Sequence, residues 1–141
     1  MSFRTVDGLP AMHSMIFVNM PVADVGRSRE FFTTLGYSVN EDFGGENALT
    51  LVLGENQFAM LLQRDVFDAL HPARTADAWQ TKECVVCLGV DSRASVDELV
   101  DRALAAGAKP GDSEDHGTMY GRSFHDLDGH SWQIFWFDPN Q

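Results

Sequence analysis

Three groups of side chains in this sequence have the types and spacing to do chemistry. Cys84 and Cys87 form a Cys-x-x-Cys, the spacing of zinc and redox sites. Asp126 and Asp128 stand with one residue between them before Gly129, as paired carboxylates would. His116 and Tyr120 lie in Asp115-His-Gly-Thr-Met-Tyr120. A histidine titrating near neutrality can serve there as general base, and the phenol can hydrogen-bond a bound carbonyl.

Each group has a plainer reading. Glu83 to Leu88 is strand-like, and residues three apart in a strand point to opposite faces, roughly 10 Å apart. A disulfide needs Cα atoms within about 7 Å, so both cysteines read as small core residues of a reduced protein. Asp126-Leu-Asp-Gly129 fits a tight turn, with aspartates accepting backbone N–H groups and Gly129 left-handed. His116 is otherwise a loop histidine without a role, and Tyr120 a packed ring with a wet hydroxyl. Arg122, the basic residue of this hairpin, pairs with Asp126 or with a ligand anion. His130 flanks the turn.

The elements that must position these groups come in two similar sets. Met15 to Val22 is an apolar, β-branched run closed by Pro21, a buried strand. Asp24 caps a helix carrying Phe31, Phe32 and Leu35 on one side, and Gly36 ends it. Strands follow at Tyr37 to Asp42, Leu49 to Leu53 and Phe58 to Gln63, with turns at Gly44-Gly45 and Gly54-Glu-Asn56. The second half repeats the order. Glu83 to Val90 is a strand, and Ser92 to Ala106 a helix with Val96, Leu99, Val100 and Leu104 at core spacing. Gly107 stops that helix. Strands near Lys109, at Tyr120 to His125 and at Ser131 to Phe137 complete the set. Between the halves, Asp65 to Leu70 is expected to form a helical turn. Pro72 and Arg74-Thr-Ala-Asp77 make the rest of residues 66–80 a surface loop, with Trp79 as lid or anchor. One domain of class α+β results: two βαβββ modules at about 13–64 and 82–138, joined by a linker at about 65–81. Their curved sheets would enclose a central cavity with helices outside.

Bulk composition excludes several functions. The 141 residues are 44% hydrophobic and 22% charged, as in an ordinary globular protein. No apolar run is long enough for a membrane helix, and residues 1–11 lack a signal-peptide core. A cytoplasmic location is the default. The formal charge of −11, from 10 basic and 21 acidic residues, disfavours nucleic acid. It favours cationic small molecules by long-range attraction, or serves solubility alone.

The chain resembles the vicinal oxygen chelate superfamily: glyoxalases, extradiol dioxygenases, and bleomycin and fosfomycin resistance proteins. The likeness rests on Val18-Asn-Met-Pro-Val-Ala-Asp24, Ser28-Arg-Glu-Phe-Phe-Thr-Thr-Leu-Gly36, Ala105-Ala-Gly-Ala108 and Phe124-His-Asp-Leu-Asp-Gly-His130, in that order and duplicated. It extends over residues 15–137. Small bacterial glyoxalase-like proteins also share Met119-Tyr-Gly-Arg-Ser-Phe124. The resemblance implies a homodimer, and a cavity in which His, Glu or Gln from the first and last strand of each module chelate a metal. Matching the motifs puts these slots at Phe17, Met60, either Cys84 or Val85, and Gln133. A phenyl ring cannot ligate, and a thioether is a poor partner for Mg, Mn or Fe. Gln133 offers one neutral oxygen and Cys84 lacks partners. The implied metal site is therefore expected to be lost, and no cofactor is expected. A different register would bring in His13, with His116 or His125 from the other module.

Alternate positions on the last strand put Ser131, Gln133, Phe135 and Phe137 toward the cavity and Trp132, Ile134 and Trp136 toward the helix. Phe17 and Asn19 face inward on the first strand. Phe17, Asn19, Met60, Tyr120, Gln133 and Phe135 thus make an apolar, aromatic small-molecule site, or simply fill the core. Two functions follow from the resemblance. One is metal-independent binding of a small molecule such as an antibiotic or metabolite. The other is a metal-dependent lyase, isomerase or dioxygenase of glyoxalase type, in which Gln133, Cys84 or an unmatched histidine holds a divalent ion that stabilises an enediolate.

Overall fold

The computed structural model describes residues 11–140. They divide into two compact units, one at Met12–Gln80 and one starting at Thr81. The first contains β1 (Ile16–Val22), α1 (Val25–Leu35), β2 (Ser38–Val39), β3 (Ala48–Gly54), β4 (Gln57–Gln63) and α2 (Arg64–Asp68). The second contains β5 (Val86–Gly89), α3 (Arg93–Ala105), β6 (Lys109–Asp115), β7 (Met119–His125) and β8 (Ser131–Phe137).

Each unit folds a four-stranded mixed sheet with the same connectivity, β1-β4-β3-β2 in one and β5-β8-β7-β6 in the other. The first strand pairs in parallel with the last, and the other pairs are antiparallel. The first strand is thus an edge strand, where Pro21 is tolerated because an N–H on the outer side has no ladder partner to lose.

Local chemistry sets the helix ends. The Asp24 side chain accepts from Arg27 N–H at 3.1 Å and Ser92 from Ser95 N–H at 3.0 Å, each meeting an orphan donor of the first turn. Gly36, at φ 109°, ends α1 in a left-handed conformation open to a residue without Cβ. Between β4 and α1, Gln63 accepts from Val25 N–H and donates to the Ala23 carbonyl at 2.6 Å, locking the β1–α1 junction to the sheet.

Period-two alternation then divides each sheet into two faces. Met20, Val22, Leu49, Leu51, Ala59 and Leu61 are buried on one face of the first sheet, with Val25, Phe31, Phe32 and Leu35 of α1. In the second unit Val96, Val100 and Ala103 of α3 are buried with Phe124, Trp132 and Ile134. Ala103 is buried where Leu99 and Leu104, expected in the core, are only half-buried.

Several boundaries differ from the sequence expectation. Tyr37 to Asp42 shrinks to the two residues of β2, because Asn40 to Asn47 turn back on themselves. The strand expected from Glu83 begins at Val86, which leaves Cys84 ahead of it. Both cysteines, expected in the core, are exposed. Cys87 lies on the sheet face opposite the helix, so its small apolar side chain is not packed under α3. The helical turn expected near Asp65 is α2, which packs on β1 and β4. Trp79 is 47% exposed, its backbone N–H bonded to Asp77. No helix among the described residues is long and apolar enough to cross a membrane.

Candidate functional site

In the first unit, the face away from α1 is built from rows of paired residues. Phe17 stands opposite Phe58, Asn19 opposite Met60, and Met60 opposite Thr50. The Phe17 ring stacks on Phe58 at 4.8 Å with 19° between planes, and Phe43 meets it edge-on at 5.6 Å. Both geometries suit the ring quadrupole. Thr50 is fully buried and donates its hydroxyl to the Phe43 carbonyl, tying the β2–β3 loop down. Asn19 is exposed and Met60 half-buried. Phe43 and Phe58 were missed as site residues. Phe58 shares strand parity with Met60, which could have found it; no sequence signal marks Phe43.

In the second unit the corresponding face carries four rows: His125–Ser131, Ser123–Gln133–Cys87, Gly121–Phe135–Gly89, and Met119–Phe137. Cys87 Sγ donates to Gln133 Oε1 at 3.2 Å. The Phe135 and Phe137 rings meet edge-on at 5.0 Å. His125 Nδ1 and Ser131 Oγ lie 2.8 Å apart. Cys87 faces Gln133 as Asn19 faces Met60, and Val85, two residues earlier, corresponds to Phe17. Cys84 lies ahead of the paired strand, and Cys87 is the thiol neighbour of Gln133.

The α3 face of the same sheet holds the residues that the sequence placed elsewhere. Tyr120 pairs with Trp136, on the side opposite Gln133 and Phe135. Its hydroxyl donates to Asp97 Oδ1 at 2.6 Å. Expected among the ligand-binding residues, Tyr120 is instead part of a charged network over α3. Arg122 binds Asp97 at 2.9 Å and Asp101 at 3.0 Å, rather than Asp126. Arg93 grips Asp115 through both guanidinium nitrogens and lies over the Tyr120 and Trp136 rings at 5.0 and 5.2 Å. The bond from Tyr120 holds the Asp97 carboxyl below its usual range and raises the phenol. Asp115 is held well below that range, chiefly by its bond from Arg93.

The remaining candidates are dispersed. His116 sits in the β6–β7 turn, 66% exposed, with Nε2 3.7 Å from Glu114. Even Met119, beyond it at the start of β7, is four residues from Ser123, the neighbour of Gln133. At about 3.4 Å per residue that exceeds 13 Å, too far for His116 and Gln133 to act on one atom. His13 precedes the start of β1 and lines an open depression with Met15, Ile16, Glu55 and Gln57, so the alternative register has no strand to carry it.

Asp126 is structural. It is 3% exposed, its Oδ1 accepts from Asp128 N–H at 2.9 Å and His130 N–H at 3.0 Å, and its Oδ2 accepts from Trp132 Nε1 at 2.9 Å. Desolvation nevertheless pushes its carboxyl upward. Lys82 Nζ donates to the Gly129 carbonyl, so a second basic residue serves this hairpin.

Residues 14–50, spanning β1, α1 and β2, match a family model described as bleomycin resistance protein-like N-terminal. No curated protein sequence matches the chain. Among solved structures, a hypothetical protein from S. aureus superposes with TM-score 0.75 at 24% identity, over 89% of this chain and 95% of that one. A glyoxalase/bleomycin resistance protein/dioxygenase family enzyme from Burkholderia phytofirmans gives 0.70 at 17%, over 86% and 96%. Lactoylglutathione lyase from Agrobacterium tumefaciens gives 0.65 at 18%, over 91% and 96%. The fold is the one these glyoxalase and bleomycin resistance structures share.

Chelation, which the sequence resemblance implies, asks for donors that these faces lack. The first unit presents Phe17, Asn19 and Met60, and the second Val85, Cys87 and Gln133. Neither a thioether beside a neutral amide nor a thiol engaged with an amide fits a hard divalent ion. Within neither unit do three His, Cys, Asp or Glu side chains converge among the described residues. No reaction step through a metal is derived from these residues.

Proposed function

We propose that this chain binds a small molecule without a metal, holding it against an aromatic sheet face turned away from the helix of its own unit. The observation that carries this reading is Phe17 at a position where chelating relatives would place a ligand, its ring stacked on Phe58. The corresponding face of the second unit has its own pair of rings, Phe135 and Phe137, and each face carries one amide, Asn19 or Gln133, to orient a ligand. The formal charge of −11 draws cationic molecules toward the surface, and aromatic faces hold cations once there. An aromatic antibiotic or metabolite with a cationic group fits this chemistry. A cytoplasmic homodimer is part of the same reading, on the strength of the family resemblance.

Equilibrium dialysis against cationic glycopeptides and aromatic metabolites tests it. The proposal expects at least one to be retained at micromolar concentration and released on substituting Phe17 or Phe135 by Ala. Retention of none overturns it.

A further inference from the structure

Two features of the second unit together fix the direction of one amide. Cys87 Sγ lies 3.2 Å from Gln133 Oε1. A thiol donates and a carbonyl oxygen accepts, so this contact places the amide oxygen toward β5. On the other side, a Cβ added at Gly121 would lie 3.4 Å from Gln133 Nε2. The amide therefore spans the sheet, with its oxygen on Cys87 and its nitrogen over a residue that has no side chain. No acceptor among the described residues engages that nitrogen, which is not sealed from solvent as an unsatisfied buried group.

The next row along the same face holds a ring. Phe135 stands between Gly121 and Gly89, and a Cβ at Gly89 would meet its Cε2 and Cζ at 3.3 Å. A Cβ there would be a tight contact that shifts the ring by a few tenths of an ångström. The two glycines thus let Gln133 and Phe135 lie low in adjacent rows, one giving a donor and the other a stacking surface.

We infer that Gln133, held by Cys87, is a specificity-determining hydrogen-bond donor that selects planar ligands carrying an acceptor, a carbonyl oxygen or ring nitrogen, beside the group stacked on Phe135. Cys87 is a positioning residue: its thiol decides which end of the amide the ligand meets. Long-range charge governs approach, and this donor governs which ring is kept. The inference rests on the proposed binding function and adds the ligand class.

The test compares two probes of nearly equal size, acetophenone and ethylbenzene, by amide chemical-shift titration of the full chain. The readouts are the Gln133 side-chain NH2 and the backbone amides of Phe135 and Phe137. Acetophenone is expected to bind about fivefold more tightly, the range of one net neutral hydrogen bond, and to shift the Gln133 NH2 signals. Q133E removes the preference, because a carboxylate repels a carbonyl oxygen. C87A brings the ratio toward one by letting the amide turn over, and C87S, whose hydroxyl donates as the thiol did, restores it. Equal binding of both probes to the wild-type chain overturns this inference and leaves the aromatic-face reading standing. So does a preference that survives Q133E, or one that C87A leaves unchanged. If neither probe moves any resonance of Phe135, Phe137 or Gln133, this inference falls, and dialysis against the cationic panel decides the binding reading by itself.

Discussion

The hydroxyl of Tyr120 lies 2.6 Å from Asp97 Oδ1, on the α3 side of β7 and away from Gln133. Replacing it by Phe removes a hydrogen bond to a charged acceptor at a partly exposed site. Y120F is expected to lower stability by about 1 kcal/mol, toward the low end for such bonds because solvent screens the pair. Ligand affinity should stay within about twofold of wild type. Urea unfolding together with dialysis measures both; a large loss of binding with intact stability would return Tyr120 to the ligand face.

Asp126 organises the β7–β8 turn through three N–H donors, one of them the indole of the buried Trp132. D126A leaves these donors without their acceptor inside the protein. A destabilisation of about 3 kcal/mol is expected, with a change in the near-ultraviolet signal of Trp132. A variant as stable as wild type would contradict the structural role given to this carboxylate.

Tyr37 is only half-buried overall, yet desolvation pushes its phenol up to about 12. The unfolded chain releases this proton near 10. The folded chain keeps it longer, so the neutral phenol's contribution is complete below pH 10 and is lost as pH rises through about 12. Absorbance at 295 nm should show little phenolate in the folded protein at pH 10, since Tyr120 is raised as well. The unfolding midpoint should fall between pH 10 and 12 and fall less in Y37F. Two tyrosines titrating together at pH 10 without loss of structure would contradict this.

The rings of Phe17, Phe43 and Phe58 form one cluster on the first sheet. F17A removes the stacked partner and is expected to weaken retention of an aromatic ligand at least tenfold. F43A acts from an exposed loop residue and should cost binding more than stability. Dialysis and thermal unfolding of both variants check the ordering.

The fold was legible because its signals are local. Asp24, Gly36, Ser92 and Gly107 mark helix ends by the hydrogen bonds and backbone angles they allow, and the order of elements repeats. Gln133 fixed the parity of β8, since no bulge interrupts its pairing with β7 from Ser131 to Phe137. Tyr120 was misplaced because the facing of one strand depends on its register with another. Pairing His125 with Ser131 across the turn sets Tyr120 opposite Trp136, already read as facing the helix. The same propagation from Gln133 reaches Cys87 only through the parallel β5–β8 pairing, which has no turn to count from. The start of β5 was unreadable for a similar reason: Glu83-Cys-Val85 is as strand-like in composition as Val86-Cys-Leu88.

Elemental analysis of freshly purified protein, prepared without chelators, tests the central claim most directly. The account predicts zinc, nickel, manganese and iron each far below one atom per chain, and ligand retention unchanged by added chelator. One tightly held divalent ion per chain, with retention lost on its removal, would contradict it.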